Sequence, residues 1–182
     1  NRLDILLNNA GILSAGPFEA VPLRKHQAML DVNVTGVITG CHCAFDYLQR
    51  TPGAQVINMS SATAIYGQPD LATYSATKFA VRGLTEALDL EWRKFGIRVS
   101  AIWPSFVRTA MANDFDQMPS AKSLGVRLTP ADVASTVWAC AMEKPGIHRT
   151  HWTVGLQAGF LSLATRLAPA AISRWVVQRL AR

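Results

Sequence analysis

Tyr74 and Lys78 stand four residues apart, and Ser61 lies thirteen positions before Tyr74. On a helix, a four-residue spacing puts two side chains on one face. A tyrosine hydroxyl ordinarily titrates near pH ~10, too high to act as a base at neutral pH. An ammonium one helical turn away favours the phenolate and is expected to lower that value. A serine hydroxyl facing the tyrosine holds a carbonyl or alcohol oxygen. The three groups together suit proton transfer to an oxygen whose carbon gains or loses hydride. The bare Tyr-x-x-x-Lys pair also occurs on ordinary solvated helices, so its weight depends on the elements that position it.

Residues 3–8 read as a short strand, apolar on both faces apart from Asp4 and therefore expected to be buried. It ends in Asn8-Asn9-Ala10-Gly11, residue types that suit a tight turn passing close to a ligand. After a loop, 23–50 is predicted helical, with Met29, Val32, Asn33, Gly36, Val37 and Gly40 recurring at three- and four-residue steps. Asn33 then lies on or beside an apolar face and needs partners. It either bonds neighbouring backbone or kinks the helix and holds a water near the site. Thr51-Pro52-Gly53 breaks this helix. A second strand, 55–59, leads into Ser60-Ser61. A helix follows over about 74–95, stopped by Gly96, then a strand over 97–102 closed by Trp103-Pro104. Thr129-Pro130-Ala131-Asp132 has the form of a helix start, and 151–155 reads as a last strand. Strands alternating with helices at this spacing argue for a parallel α/β sheet. The candidate residues fall at the carboxyl ends of its strands, where such sheets bind ligands.

Over residues 3–155 the sequence resembles the short-chain dehydrogenase/reductase family. The likeness rests on the ordered set Asn8-Asn9-Ala10-Gly11, Asn33, Ser61, Tyr74-x-x-x-Lys78 and Pro104-x-x-Val107-x-Thr109. Each piece is weak alone, but the order and the strand–helix context make the set specific. The resemblance implies reversible oxidation of an alcohol to a carbonyl with NAD or NADP. It gives Tyr74 the role of general acid/base and gives Lys78 a place on the nicotinamide ribose. Ser61 would orient the substrate oxygen, and Asn33 would anchor a water in the proton relay. Asn9, Ala10 and Gly11 would line the cofactor, with Asn9 steadying the sheet. Pro104, Val107 and Thr109 would meet the nicotinamide end. The helices over 23–50 and 74–95 match the family's usual oligomer surface, so a homo-oligomer is expected.

The chain departs from the family in two places. Ser105 follows Pro104 where the family usually has glycine. The glycine-rich phosphate loop is absent, as is the residue after the second strand that tells NAD from NADP. The missing βαβαβ unit needs roughly 60 residues. The expected fold is therefore the C-terminal part of a doubly wound, Rossmann-like parallel sheet with flanking helices. A non-catalytic fragment or binding module stays open as an alternative to the oxidoreductase.

Composition narrows the remaining classes. With 49% hydrophobic and 16% charged residues, the chain has enough apolar content for one globular core. Its net charge of +6 is scattered without a Lys/Arg run, which leaves a nucleic-acid partner only the net charge in its favour. Three cysteines suggest reduced thiols and a cytoplasmic compartment. Cys41-His42-Cys43 points three ways on a helix, with no second ligand pair at zinc spacing, so no metal site is expected. The chain opens on polar Asn1-Arg2 without a signal-peptide pattern, and no window reaches 18 uninterrupted apolar residues, so no spanning helix is expected. Residues 1–155 form the expected catalytic part. Residues 156–182 read as a basic amphipathic tail that suits either packing on protein or peripheral contact with a membrane.

Overall fold

The computed structural model describes residues 2–109, 128–144, 146 and 148–156, together with 158, 159, 162, 174, 175 and 178. Four strands form one sheet: β1 (Ile5–Asn8), β2 (Gln55–Met59), β3 (Arg98–Pro104) and β4 (His151–Val154). They lie in chain order and every neighbouring pair is parallel. The connecting helices are α1 (Leu23–Leu30), α2 (Gly36–Leu48), α3 (Ala72–Trp92) and α4 (Pro130–Ala141). The expected alternation of strands and helices is therefore present.

The sheet sorts its side chains by alternation. Val56 and Val99 point to one face, where they pack with Val37, Cys41 and Leu48 of α2 and Val81 of α3. Ile57 and Ile102 point to the other, against Val133, Val137 and Cys140 of α4. Thr129 and Asp132 begin α4 with a reciprocal cap: Thr129 N–H donates to Asp132 Oδ2 at 2.7 Å, and Asp132 N–H donates to Thr129 Oγ1 at 3.3 Å. Gly96 takes φ 71° after the last turn beyond α3, the left-handed conformation that glycine adopts without strain. His148 ties the far ends of the layers together, with Asp89 of α3 at 3.1 Å and Glu143 at 2.9 Å.

Two expectations need correction. Strand β1 is not buried on both faces: Ile5 is 41% and Leu7 43% exposed. Leu6 and Asn8 face α2, but α4 packs mainly over β2, β3 and β4. The 23–50 segment is also not one regular helix. Between α1 and α2 the chain makes a π-helical turn, Asp31–Thr35, and Gly36 N–H donates to Asp31 C=O across five residues. The widened turn centres on Asn33, which is 1% exposed. This run is apolar and long enough by composition to cross a membrane. Its buried face nevertheless closes on the sheet and on α3.

A polar ladder crosses the apolar face. Asn8 Nδ2 lies 3.4 Å from Cys41 Sγ of α2 and donates to Asn58 Oδ1 of β2 at 2.8 Å. Asn58 Nδ2 donates to Thr85 Oγ1 of α3 at 3.0 Å, and Thr85 Oγ1 donates to Val81 C=O at 2.7 Å. Gly40 leaves room for this ladder, because a Cβ there would lie 2.5 Å from Asn8 Oδ1. Glycine to alanine inside a helix ordinarily stabilises by about 1 kcal/mol. Here G40A is expected to destabilise by about 1–3 kcal/mol, the usual range for overpacking. In an N8A background the same change should cost nothing or stabilise. Chemical denaturation of the two single variants and the double variant measures this coupling, and additive effects would remove the clash as the cause.

Candidate active site

The site is assembled at the carboxyl end of β2 and the first turns of α3. Ser61 is extended, with φ −164° and ψ 160°, and leads a 3-10 turn, Ala62–Ala64; its Oγ accepts Thr63 N–H at 3.2 Å. The same hydroxyl faces the Tyr74 phenol and favours its ionised form. Lys78, 4% exposed, sits one turn further along α3 and points back to the sheet. Its Nζ donates to Met59 C=O at 2.9 Å and lies 5.3 Å from the Tyr74 ring centroid. Ser60, which from sequence competes with Ser61, has work of its own: its hydroxyl donates to Lys78 C=O at 3.2 Å. The two adjacent serines thus hold the backbone and the reactive face of one helix.

Asn33 closes the group from the π turn. Its Oδ1 accepts Ile12 N–H at 2.8 Å, and its Nδ2 donates to Ile12 C=O at 2.9 Å and to Thr77 Oγ1 at 3.1 Å. Both amide hydrogens are spent on protein, so the side chain is a clamp on the segment after β1. Of the two roles open to Asn33 from sequence, its side chain bonds neighbouring backbone, and the helix irregularity of the other is also present as the π turn. Gly11 lies under the clamp. A Cβ there would come within 3.5 Å of Asn33 Oδ1 and 3.7 Å of Lys78 Nζ, so glycine leaves open the space beside the ammonium.

The electrostatics differ from the expectation. Burial pushes the Tyr74 phenol up to about 12, only partly offset by the Ser61 hydroxyl. Burial also lowers the Lys78 ammonium to about 8. Desolvation of both groups outweighs the attraction between them. Tyr74 is therefore held as a neutral phenol at neutral pH, rather than being brought down by Lys78. The phenol is the proton-donating form.

The other expected residues lie at or just beyond the ends of β1 and β3. Asn9 and Ala10 are exposed at the end of β1. The sheet-steadying role expected of Asn9 is performed by Asn8. Pro104 is buried at the end of β3. Val107 forms a parallel bridge with Leu128, Arg108 N–H donates to Leu128 C=O at 2.8 Å, and Thr109 is exposed. Phe106, Met111, Phe115 and Met118 suit, from their residue types, either contact with an apolar substrate or helix packing; Phe106 is buried, and the other three fall outside the described residues. Sequence reasoning weighed Ser60 only as a competitor of Ser61, passed over Thr77, and gave Asn8 no role of its own. The available signals were their places beside Ser61, inside the Tyr-x-x-x-Lys spacing and next to Asn9.

Residues 1–120 match the family model for short chain dehydrogenase, and the chain belongs to that family. It is 38% identical over 142 residues to a 3-alpha-(or 20-beta)-hydroxysteroid dehydrogenase of Mycobacterium tuberculosis, covering 78% of this chain and 55% of that protein. It is 28% identical over 163 residues to a 3-oxoacyl-[acyl-carrier-protein] reductase of Synechocystis, covering 88% and 66%. The chain thus spans about half the length of the first curated relatives it matches. Among solved structures, a short chain dehydrogenase from Burkholderia cenocepacia in complex with NADP superposes with a TM-score of 0.81 at 22% identity, over 98% of this chain and 71% of that one. A 3-ketoacyl-(acyl-carrier-protein) reductase from Brucella melitensis complexed with NADH gives 0.74 at 28% identity, over 84% and 66%.

The depressed Lys78 value has a thermodynamic sign. Between about pH 8 and 10.5 the unfolded chain binds a proton at Lys78 that the folded chain does not, so folding stability rises with pH through that window. Below it, the buried ammonium costs up to about 3 kcal/mol. K78M is therefore expected to equal or exceed the wild type in stability at pH 7, with the gap closing toward pH 10. Above pH 10 the raised Tyr74 value acts in the opposite direction, because the unfolded phenol ionises first. Denaturant titrations between pH 7 and 10 follow the gap; one that stays constant would mean that Lys78 is not desolvated.

Proposed function

We propose that the protein is an NAD(P)-dependent oxidoreductase that interconverts an alcohol and a ketone or aldehyde, with Tyr74 as the general acid/base. The observation that carries this reading is the grouping of Ser61, Tyr74 and Lys78, with Ser61 and Lys78 buried, the hydroxyl facing the phenol and the ammonium over the ring. A substrate oxygen held by Ser61 and Tyr74 takes the phenol proton as its carbon becomes tetrahedral. In the reverse direction the alcohol proton returns to Tyr74. Lys78 keeps positive charge beside the phenol, which lowers the cost of the phenolate during transfer. A nicotinamide, when bound, supplies or removes the hydride.

The residues present fit one end of that cofactor. The open space at Gly11 lies beside Lys78 Nζ, and among the described residues one of the three ammonium protons is spent, on Met59 C=O. Lys78 would hold the ribose, and Asn9, Ala10, Pro104, Val107 and Thr109 would surround the nicotinamide end. The sequence carries no glycine-rich loop for the phosphates. The relatives' names, a hydroxysteroid dehydrogenase and a 3-oxoacyl reductase, favour a lipid-like alcohol or ketone as substrate class.

We assign oligomer contacts to the α1–α2 and α3 surfaces, supported by Ile38, Tyr47, Phe79 and Leu90, which are 40–68% exposed. Peripheral membrane contact is assigned to residues 156–182, where Leu156 is 93% and Trp175 58% exposed. Flotation with anionic liposomes, with and without that segment, tests the second assignment.

For the central assignment, Y74F in the protein at its native length is expected to lower kcat about 10²–10⁴-fold, the usual contribution of a general acid. Nucleotide affinity should hold, because the ring remains. Steady-state turnover with NADH and NADPH, beside fluorescence titration of each nucleotide, measures both. Turnover that survives Y74F would remove Tyr74 from the chemistry. If neither nucleotide binds the wild-type protein, the binding-module reading takes over.

A further inference from the structure

We infer that Thr77 is a positioning residue for Tyr74, its hydroxyl relaying the placement of the segment after β1 into the first turn of α3. The inference rests on the proton-transfer reading of the site and goes beyond it, because Thr77 is neither acid nor base in that reading.

The geometry is a continuous chain of hydrogen bonds. Ile12 N–H and C=O are both bonded by the Asn33 amide, at 2.8 and 2.9 Å. The remaining Asn33 amide hydrogen goes to Thr77 Oγ1 at 3.1 Å, and Thr77 Oγ1 donates to Tyr74 C=O at 2.7 Å. A hydroxyl has one hydrogen, and here it is committed to Tyr74 while a lone pair receives Asn33. Asn33 is 1% exposed and Thr77 0%, so water does not substitute for either bond. Thr77 is therefore where the π turn and the segment after β1 reach the backbone of the residue that moves the proton. A hydroxyl bonded back onto its own helix also bends the local backbone, which shifts the direction in which Tyr74 projects.

Loss of this hydroxyl should leave the substrate and nucleotide surfaces intact and disturb only the aim of the phenol. A displacement of about 1 Å at a reacting group lowers rate on the order of 100-fold.

The test uses T77V, which replaces the hydroxyl by a methyl at nearly constant shape, and T77S, which restores it. T77V is expected to lower kcat about 10–100-fold, with KM for substrate and nucleotide within about twofold of wild type. T77S is expected to recover kcat to within about threefold. If T77V does not fold, T77A removes the hydroxyl without added bulk and is read against T77S in the same way. Unchanged kcat in T77V, or an equal fall in T77V and T77S, overturns the inference, as does a fall in which KM rises in step. Y74F run alongside separates the two levels. Surviving turnover in Y74F defeats the reading of the site, whereas a silent Y74F beside a fully active T77V defeats only the role of Thr77.

Discussion

Lys78 has to remain a cation while most of its surroundings are protein. An ammonium taken out of water loses solvation that must be replaced by fixed dipoles and hydrogen-bond acceptors. The structure replaces it locally. The Met59 carbonyl accepts from Nζ, the Tyr74 ring offers its face, and the neighbouring turn carries Gly11, with no side chain to fill the space. Ser60 fixes the backbone at Lys78 itself. The layout at the carboxyl end of β2, with two serines in succession and a 3-10 turn following at once, follows from keeping this one charge in place.

That constraint explains why so much of the surrounding polarity is internal. Asn33, Thr77, Asn58 and Thr85 are buried and bonded to one another's elements, not to solvent. Buried polar groups are costly when unpaired and rigidifying when satisfied. The Asn33 clamp holds the segment after β1 to the π turn, and the Asn8–Asn58–Thr85 ladder holds β1 and β2 to α3. The protein has invested its polar side chains where three elements meet, and the two apolar faces of the sheet fill the rest.

Much of this was legible in the sequence. Ser61, Tyr74 and Lys78 declare themselves by residue type and spacing, and β2 was located to the residue because its apolar run is bounded by a Pro-Gly break and a Ser-Ser pair. The Thr129–Asp132 cap could be read directly, since its chemistry is local. What failed depends on neighbours distant in sequence. The apolar repeat around Asn33 marks a helix face but does not record that the helix widens to admit the amide. Asn8 and Asn9 are the same residue type, and only the register Asn8↔Asn58 decides which of them spans the strands. The direction of the Tyr74 shift depends on how deeply the pair is buried, which a four-residue spacing does not contain. The exposure of β1 escaped for a similar reason: an apolar run records what a strand can bury, not whether α4 extends far enough to cover it.

The uncovered side of β1 also bears on how these 182 residues behave when handled alone. Its backbone pairs only with β2 among the described residues, and Ile5 and Leu7 add an apolar surface beside that open edge. Edges of this kind recruit further strands unless charge or a covering segment intervenes. The flanking Arg2–Asp4 ion pair is exposed and gives weak protection. Material prepared from this stretch is expected to self-associate through β1. The particle sizes it gives in solution would then report on that edge and carry no information about the helical faces proposed as subunit contacts.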